Sequence, residues 1–198
     1  LGGVSMARPR AKDCRFYRCG FRDADLSGAH FGNCRFTDSR LQLASLVGSV
    51  FETCEFIRVV LSAAVAGPVT FRDCVFETTI FCLTAAGEGV RFAGCGISGS
   101  SIRRLAPGGL LWERCVVMGL DLQGLRPGRL HGEGTAFRKC NLCEVVAPDA
   151  RLAGAVLERC LLGGVELRGA DLRGAALTDV DFQPGPSSRA GLTEGSSR

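Results

Sequence analysis

A five-residue period of large apolar side chains runs through most of the chain and leaves few folds open to it. Counting in fives from Phe16 to Phe81, 13 of the 14 positions are Phe or Leu. The register moves by one residue across 84–90, resumes at Phe92 and continues to Phe182. All 12 phenylalanines and the single tryptophan fall on this lattice. Neither the 3.6-residue period of a helix nor the two-residue period of a long strand produces such spacing.

A second pattern lies within the first and predicts how the chain turns. A small residue usually stands two positions before each large one, as Cys74 does before Phe76 in FRDCVF (71–76). Two inward side chains separated by one residue indicate a short extended piece, and the remaining residues form a corner. Hexapeptides of this type begin at 31, 51, 71, 92, 112, 137 and 157, so the usual spacing is 20 residues. A coil with four sides of five residues, stacked about nine times, accounts for this spacing and predicts a rod about 40 Å long.

Two stretches, DADLSGAHF (23–31) and GADLRGAAL (169–177), resemble the A-[DN]-L-x-x motif of the pentapeptide repeat family. The resemblance covers roughly residues 13–182 and implies an all-β fold, a right-handed, quadrilateral parallel β-helix. Residues 1–12 would then form a basic N-terminal extension. Residues 183–198 are rich in Pro, Gly and Ser, a composition typical of a disordered tail.

The 11 cysteines raise the possibilities of disulfides, metal ligands or purely structural thiols. Stacked parallel neighbours point their Cβ atoms the same way, which disfavours a disulfide, and a ladder of single thiols cannot converge on a zinc ion. Buried cysteine behaves as a small apolar residue, so we expect a structural ladder and no metal site. Cys82 and Cys143 follow lattice positions and should face outward. Eight cysteines should occupy one inner position, one per coil: Cys14, Cys34, Cys54, Cys74, Cys95, Cys115, Cys140 and Cys160.

The charge of the chain is concentrated near its two ends. The formal net charge is +4, yet residues 13–182 contain 19 basic and 19 acidic side chains. A neutral body argues against direct binding of nucleic acid or a membrane surface. No apolar run reaches the roughly 20 residues of a membrane helix, and the first residues lack the apolar region of a signal peptide. We therefore expect a cytoplasmic protein.

Catalytic motifs are lacking in the sequence. The two histidines, His30 and His131, belong to different coils of the expected rod and cannot share a site. The acidic pairs flank inward positions and are typical of solvated outer faces. We therefore expect no catalytic residue and no cofactor.

The lattice falters at 63–69, 84–90, 105–111, 125–136 and 145–151, which predicts one irregular edge on the fourth side. The 25-residue spacing between 112 and 137 predicts a five-residue insertion, with LRPGRLHGEGTA (125–136) as a projecting loop. Polar loops on rigid scaffolds are favoured binding sites. Arg126, Arg129, His131 and Glu133 are therefore the candidate residues for binding a partner, and a tolerated insertion without a role is the alternative.

The family resemblance implies a protein partner. Characterised members resemble B-DNA in shape and bind DNA gyrase or topoisomerase IV, giving resistance to topoisomerase poisons. The neutral body does not fit an acidic mimic of DNA, and a general protein-interaction scaffold with another partner is the alternative. Because the ends of a stacked β-rod attract further strands, we expect a monomer with capped ends or an end-to-end homodimer.

Overall fold

The computed structural model describes residues 8–63, 67–83, 89–105 and 109–183. Within these ranges the chain forms 19 short strands and no helix, and every paired strand runs parallel to its neighbour. The strands stack in a four-sided solenoid, as the five-residue period predicts. One side holds nine strands, which enclose eight complete turns.

Three sides of the solenoid contain named strands. Side one consists of β1 (Arg10–Lys12), β3 (His30–Gly32), β5 (Val50–Glu52), β8 (Val69–Arg72), β11 (Val90–Ala93), β14 (Leu110–Glu113) and β16 (Leu130–His131). Side two consists of β2 (Arg15–Tyr17), β4 (Arg35–Thr37), β6 (Glu55–Ile57), β9 (Val75–Glu77), β12 (Gly96–Ser98), β15 (Val116–Met118), β17 (Ala136–Arg138), β18 (Val156–Glu158) and β19 (Ala176–Thr178). Side three contains β7 (Val60–Ala63), β10 (Ile80–Leu83) and β13 (Ser101–Leu105).

The remaining contacts between coils are isolated parallel bridges. On side four, Asp25 pairs with Ser45, and Val146 pairs with Glu166. On side one, Phe71 lies beside Phe92, which confirms the predicted 21-residue coil at the register shift.

The corners explain the abundance of glycine. Two residues after an inward centre, the backbone enters the left-handed region, and 17 non-glycine residues have φ between 51° and 60°. This region is disfavoured for residues with a Cβ, and glycine adopts it freely. Many of the 27 glycines therefore mark corners, as Gly94 and Gly99 do at φ of 64° and 53°.

The core consists of columns of rings that stack from coil to coil. On side one, Phe51 and Phe71 have centroids 5.1 Å apart, and on side two, Phe56 and Phe76 lie 4.8 Å apart. Within one coil, Phe71 and Phe76 meet edge to face at 85° and 5.1 Å. The motif FRDCVF thus supplies two rings at right angles, both in favourable aromatic geometry.

Thiols occupy two inner corners of the coil, where the sequence predicts one ladder. The first corner holds Cys14, Cys34, Cys54, Cys74, Cys95 and Cys115, and Cys74 donates to the carbonyl of Phe51 at 3.4 Å. Cys140 and Cys160 lie instead at the second corner, above Cys19 and Ser39, and Cys160 donates to the carbonyl of Phe137 at 3.4 Å. Ser39 makes the equivalent bond to Phe16 at 3.1 Å. A hydroxyl serves as well as a thiol there, so the role is small size and a donor rather than sulfur chemistry.

The predicted insertion at 125–136 is wrong. Leu110 and Leu111 pair with Leu130 and His131, and the amides of Gly132 and Gly134 donate to the next coil. This segment therefore belongs to regular 20-residue coils and does not project. Phe137 stacks on Val117 of side two rather than on Trp112 of side one, which produces the spacing of 25.

Close packing around Gly132 explains why the lattice has no large side chain at that position. Trp112 is fully buried and packs edge to face on Phe137 at 5.3 Å. A Cβ on Gly132 would lie 2.9 Å from Leu152 Cδ2 and 3.0 Å from Phe137 Cε2. Leu152 and Phe137 therefore already fill the space that a side chain at position 132 would need.

Other boundaries expected from the sequence also differ from those in the structure. The solenoid begins at Arg10, because β1 pairs with β3, so the basic extension is shorter than residues 1–12. The irregularity expected at 145–151 is regular structure, with Ala147 buried and Val146 bridged to Glu166. Residues 64–66, 84–88 and 106–108 of the predicted irregular edge lie outside the described residues, as does 184–198 of the expected tail.

We expect Phe76→Ala to lower the free energy of unfolding by about 3–5 kcal/mol, because it removes a ring from the middle of a stack. Cys74→Ala should lower it far less, since the site needs only a small side chain. Denaturant unfolding of both variants measures this difference. Unfolding of the rod by Cys74→Ala, or by reductant alone, would contradict the structural role of the ladder.

Placing a side chain at position 132, where the five-residue period calls for a large apolar residue, should destabilise the protein. We expect Gly132→Ala to cost about 1–3 kcal/mol through overpacking, and Gly132→Leu to cost more. Gly96→Ala is the matched control, because nothing lies within 4 Å of its added Cβ. Thermal unfolding of the variants tests this, and a Gly132→Leu protein as stable as the wild type would refute the packing argument.

Candidate interaction surface

The four residues predicted to bind a partner are spread around a corner of the rod. Arg126 and Arg129 are exposed near the corner between sides four and one, whereas His131 and Glu133 lie on side one. Burial lowers the pKa of His131, and the nearby Arg151 lowers it further. Both effects favour the neutral form of His131. The four residues form no single projecting group, and their role in binding stays a prediction.

The surroundings of the ladder shift the pKa values of its thiols in both directions. Burial raises the pKa of Cys34 to about 11. Hydrogen bonding with the thiols of Cys54 and Cys95, together with burial, raises the pKa of Cys74. Hydrogen bonding with neighbouring thiols instead lowers the pKa of Cys54, Cys95 and Cys160, so what shields the ladder from reagents is burial.

Cys143 lies where the sequence does not predict it. We expected this side chain to face outward, and the structure leaves it only 2% exposed. Cys82 is half-buried. Among the described residues, no group of three or more His, Cys, Asp or Glu side chains is placed to hold a metal ion.

Ion pairs join successive coils and neutralise the acidic side chains. Arg35 forms a bidentate pair with Glu55 at 2.6 and 2.9 Å, and Arg58 pairs with Asp38 at 2.7 Å. Glu52 is flanked by His30 at 3.2 Å and Arg72 at 2.9 Å. Exposed pairs of this kind add little stability. Their effect is on the surface, because arginines interrupt the acidic residues along sides one and two.

One outward column on side two carries no charge over six coils. The parallel pairing of β9, β12, β15, β17, β18 and β19 aligns its members, and we call it the apolar column: Val75, Gly96, Val116, Ala136, Val156 and Ala176. Val75 is 50% exposed and Val116 is 48% exposed. Met118, in the adjacent column, is 43% exposed. The column is about 24 Å long, from five steps of about 4.8 Å.

The corner beside the apolar column leaves it open. Gly94, Gly134, Gly154 and Gly174 precede four of its members by two residues and have no side chain to cover them, whereas Asp73 and Arg114 precede the other two. The result is a flat, uncharged strip on a rigid sheet, bordered by Arg114 and Arg138. Contiguous exposed apolar surface of this kind is typical of an interaction site. In the sequence the column is Val75 and then every twentieth residue from Gly96 onward, after the one-residue shift of register.

The fold and this surface define a parallel β-solenoid repeat protein. The family model for pentapeptide repeats matches residues 14–52 and 148–183, in eight copies. Over these two stretches the sequence is that of pentapeptide repeats, and the solenoid continues the same coil between them.

Solved structures agree with this architecture. Two trypsin-treated variants of QnrB1, described as a plasmid-mediated fluoroquinolone resistance protein, are similar. One has a TM-score of 0.60 at 16% identity, covering 87% of this chain and 91% of QnrB1. The other has a TM-score of 0.53 at 18% identity, covering 89% and 88%. At these identities the likeness concerns the fold alone. No curated protein matches the chain in sequence, and no helix in the described ranges is long and apolar enough to cross a membrane.

Alkylation of the native protein should divide the cysteines by burial. We expect Cys14, Cys19 and Cys82 to react with iodoacetamide, whereas the buried thiols, Cys143 included, are protected. Mass spectrometry of the digested protein identifies the labelled sites, and labelling after denaturation provides the reference. Rapid labelling of Cys143 in the folded protein would contradict its position in the structure.

Proposed function

We propose that this pentapeptide repeat protein is a non-enzymatic binding protein, and that its partner is DNA gyrase or topoisomerase IV. The observation that carries the proposal is the apolar column, a rigid and uncharged strip of exposed side chains on side two. Such a strip buries readily against another protein, because it loses little hydration of charge. In the proposed role the protein acts in the cytoplasm and gives resistance to topoisomerase poisons.

The choice of partner is supported by likeness to QnrB1. QnrB1 is described as a fluoroquinolone resistance protein, and the two chains share a rod over most of their lengths. Quinolones act on type II topoisomerases, so an enzyme of this class is the first partner to test.

The proposed contact does not depend on imitation of DNA charge. Arg35, Arg58 and Arg72 neutralise acidic side chains on or beside sides one and two. Any mimicry of DNA would lie in the form of a narrow rod about 40 Å long. The neutral surface also favours the second candidate function, an interaction scaffold for a different protein.

The test is a gyrase supercoiling assay with and without a quinolone, and the same assay with topoisomerase IV. We expect the wild-type protein to restore activity in the presence of the drug and to reduce cleavage complexes. Val116→Arg should abolish the effect without loss of stability, because it places a charge in the middle of the apolar column.

Leu161→Arg is the matched control. Leu161 is 41% exposed, close to Val116, but lies on side three. It should retain the wild-type effect. A wild-type protein that changes neither supercoiling nor cleavage complexes of either enzyme would exclude this partner class and favour the scaffold function.

A further inference from the structure

The C-terminal end of the solenoid exposes side chains that other coils bury. Leu172 is 41% exposed, Leu177 is 44% exposed and Phe182 is 61% exposed. The equivalent positions in the central coils, such as Phe71, Phe76 and Phe81, are fully buried. The last strand, β19, pairs only with β18, so its outer edge has no partner among the described strands.

The N-terminal end is open in the same way. Strand β2 pairs only with β4 within the described chain, and Phe16 and Ala11 are only partly buried. The two ends therefore present complementary edges of one parallel sheet.

The ends carry opposite charge. Residues 8–27 contain six basic and three acidic side chains, whereas residues 164–183 contain two basic and four acidic ones. Contact between two C-terminal ends would bring like charges together, which opposes association. Contact between a C-terminal and an N-terminal end brings opposite charges together.

We propose that copies of this protein associate head to tail, with the last coil of one copy stacked on the first coil of the next. The 20-residue register then continues across the junction. Leu177 packs on Phe16 of the next copy, and Phe182 packs on its Phe21. Arg15 N–H donates to the carbonyl of Ala175, as Arg35 N–H donates to that of Cys14 within the chain.

The same register aligns opposite charges. Asp179 faces Arg18 of the next copy, and Asp171 faces its Arg10. Asp179 already lies 3.7 Å from Arg159 of its own chain, so it would be flanked by a cation on each side. Within the rod, Glu52 likewise has a side chain in contact on each side, His30 at 3.2 Å and Arg72 at 2.9 Å. Arg173 would face Lys12, an unfavourable pair that Asp171 offsets by its 2.7 Å contact with Arg173.

A head-to-tail contact uses two different surfaces, so it builds open chains of copies rather than a closed dimer. It involves the ends of the rod and not the apolar column. The proposal is therefore independent of the partner proposed above.

Charge reversal at the junction tests the proposal by sedimentation velocity over a range of protein concentrations. The wild-type protein should associate as its concentration rises. Arg18→Asp and Asp179→Arg should each weaken association by about tenfold or more, because like charges then face each other. The chain with both changes restores the opposite pair and should associate again, as should a mixture of the two single variants.

Lys139→Asp is the control, because Lys139 occupies the same corner in the middle of the rod, and circular dichroism checks that each variant is folded. Phe182→Glu should also prevent association without unfolding, since that side chain is exposed. A wild-type protein that stays monomeric at all concentrations overturns the proposal. Association that Asp179→Arg weakens and Arg18→Asp leaves unchanged also overturns it, in favour of a symmetric C-terminal contact.

Discussion

In this protein each inward side chain rests on the side chain that occupies the same position one coil away. Phe51 contacts Phe71 in this way, and Phe56 contacts Phe76, with rings about 5 Å apart. The spacing equals the separation of paired strands, so backbone hydrogen bonds and ring stacking are satisfied by one geometry. A residue can therefore change size only if its neighbours in the column change with it. Gly132 shows this constraint, since Leu152 and Phe137 already fill the space that a side chain there would need.

The same stacking decides the character of the surface. Outward residues also form columns, so charges 20 residues apart meet as pairs, as Arg58 and Asp38 do. Where a column lacks charged residues over several coils, a continuous apolar strip results, and the corner glycines beside it leave it accessible. The surfaces of this rod that are available for binding are therefore columns of outward residues rather than loops. The polar segment 125–136 resembles a loop in the sequence but does not form a projecting site.

Stacking of this kind does not by itself limit the number of coils. Each coil offers the next coil a row of backbone donors and acceptors around an apolar centre. On the first and last coils of the described solenoid, one such surface has no neighbouring coil. The opposite charges at the two ends give that exposed edge a direction, since a basic first coil complements an acidic last one.

The period of five and the spacing of 20 were enough to determine the solenoid, its four sides, the inward Phe and Leu positions and the small residues between them. They also indicated that the cysteines are structural, because one small inward position per side does not converge on a metal. They did not determine which side each hexapeptide occupies. The motif beginning at Phe137 looks like the one beginning at Trp112, yet Phe137 stacks on Val117, and its cysteine, Cys140, belongs to a different corner from Cys115. Counting in fives cannot distinguish one side from the next, because all four sides have the same period. Only the pairing between coils, where Leu110 and Leu111 lie beside Leu130 and His131, decided the register, and with it the columns that form the surface.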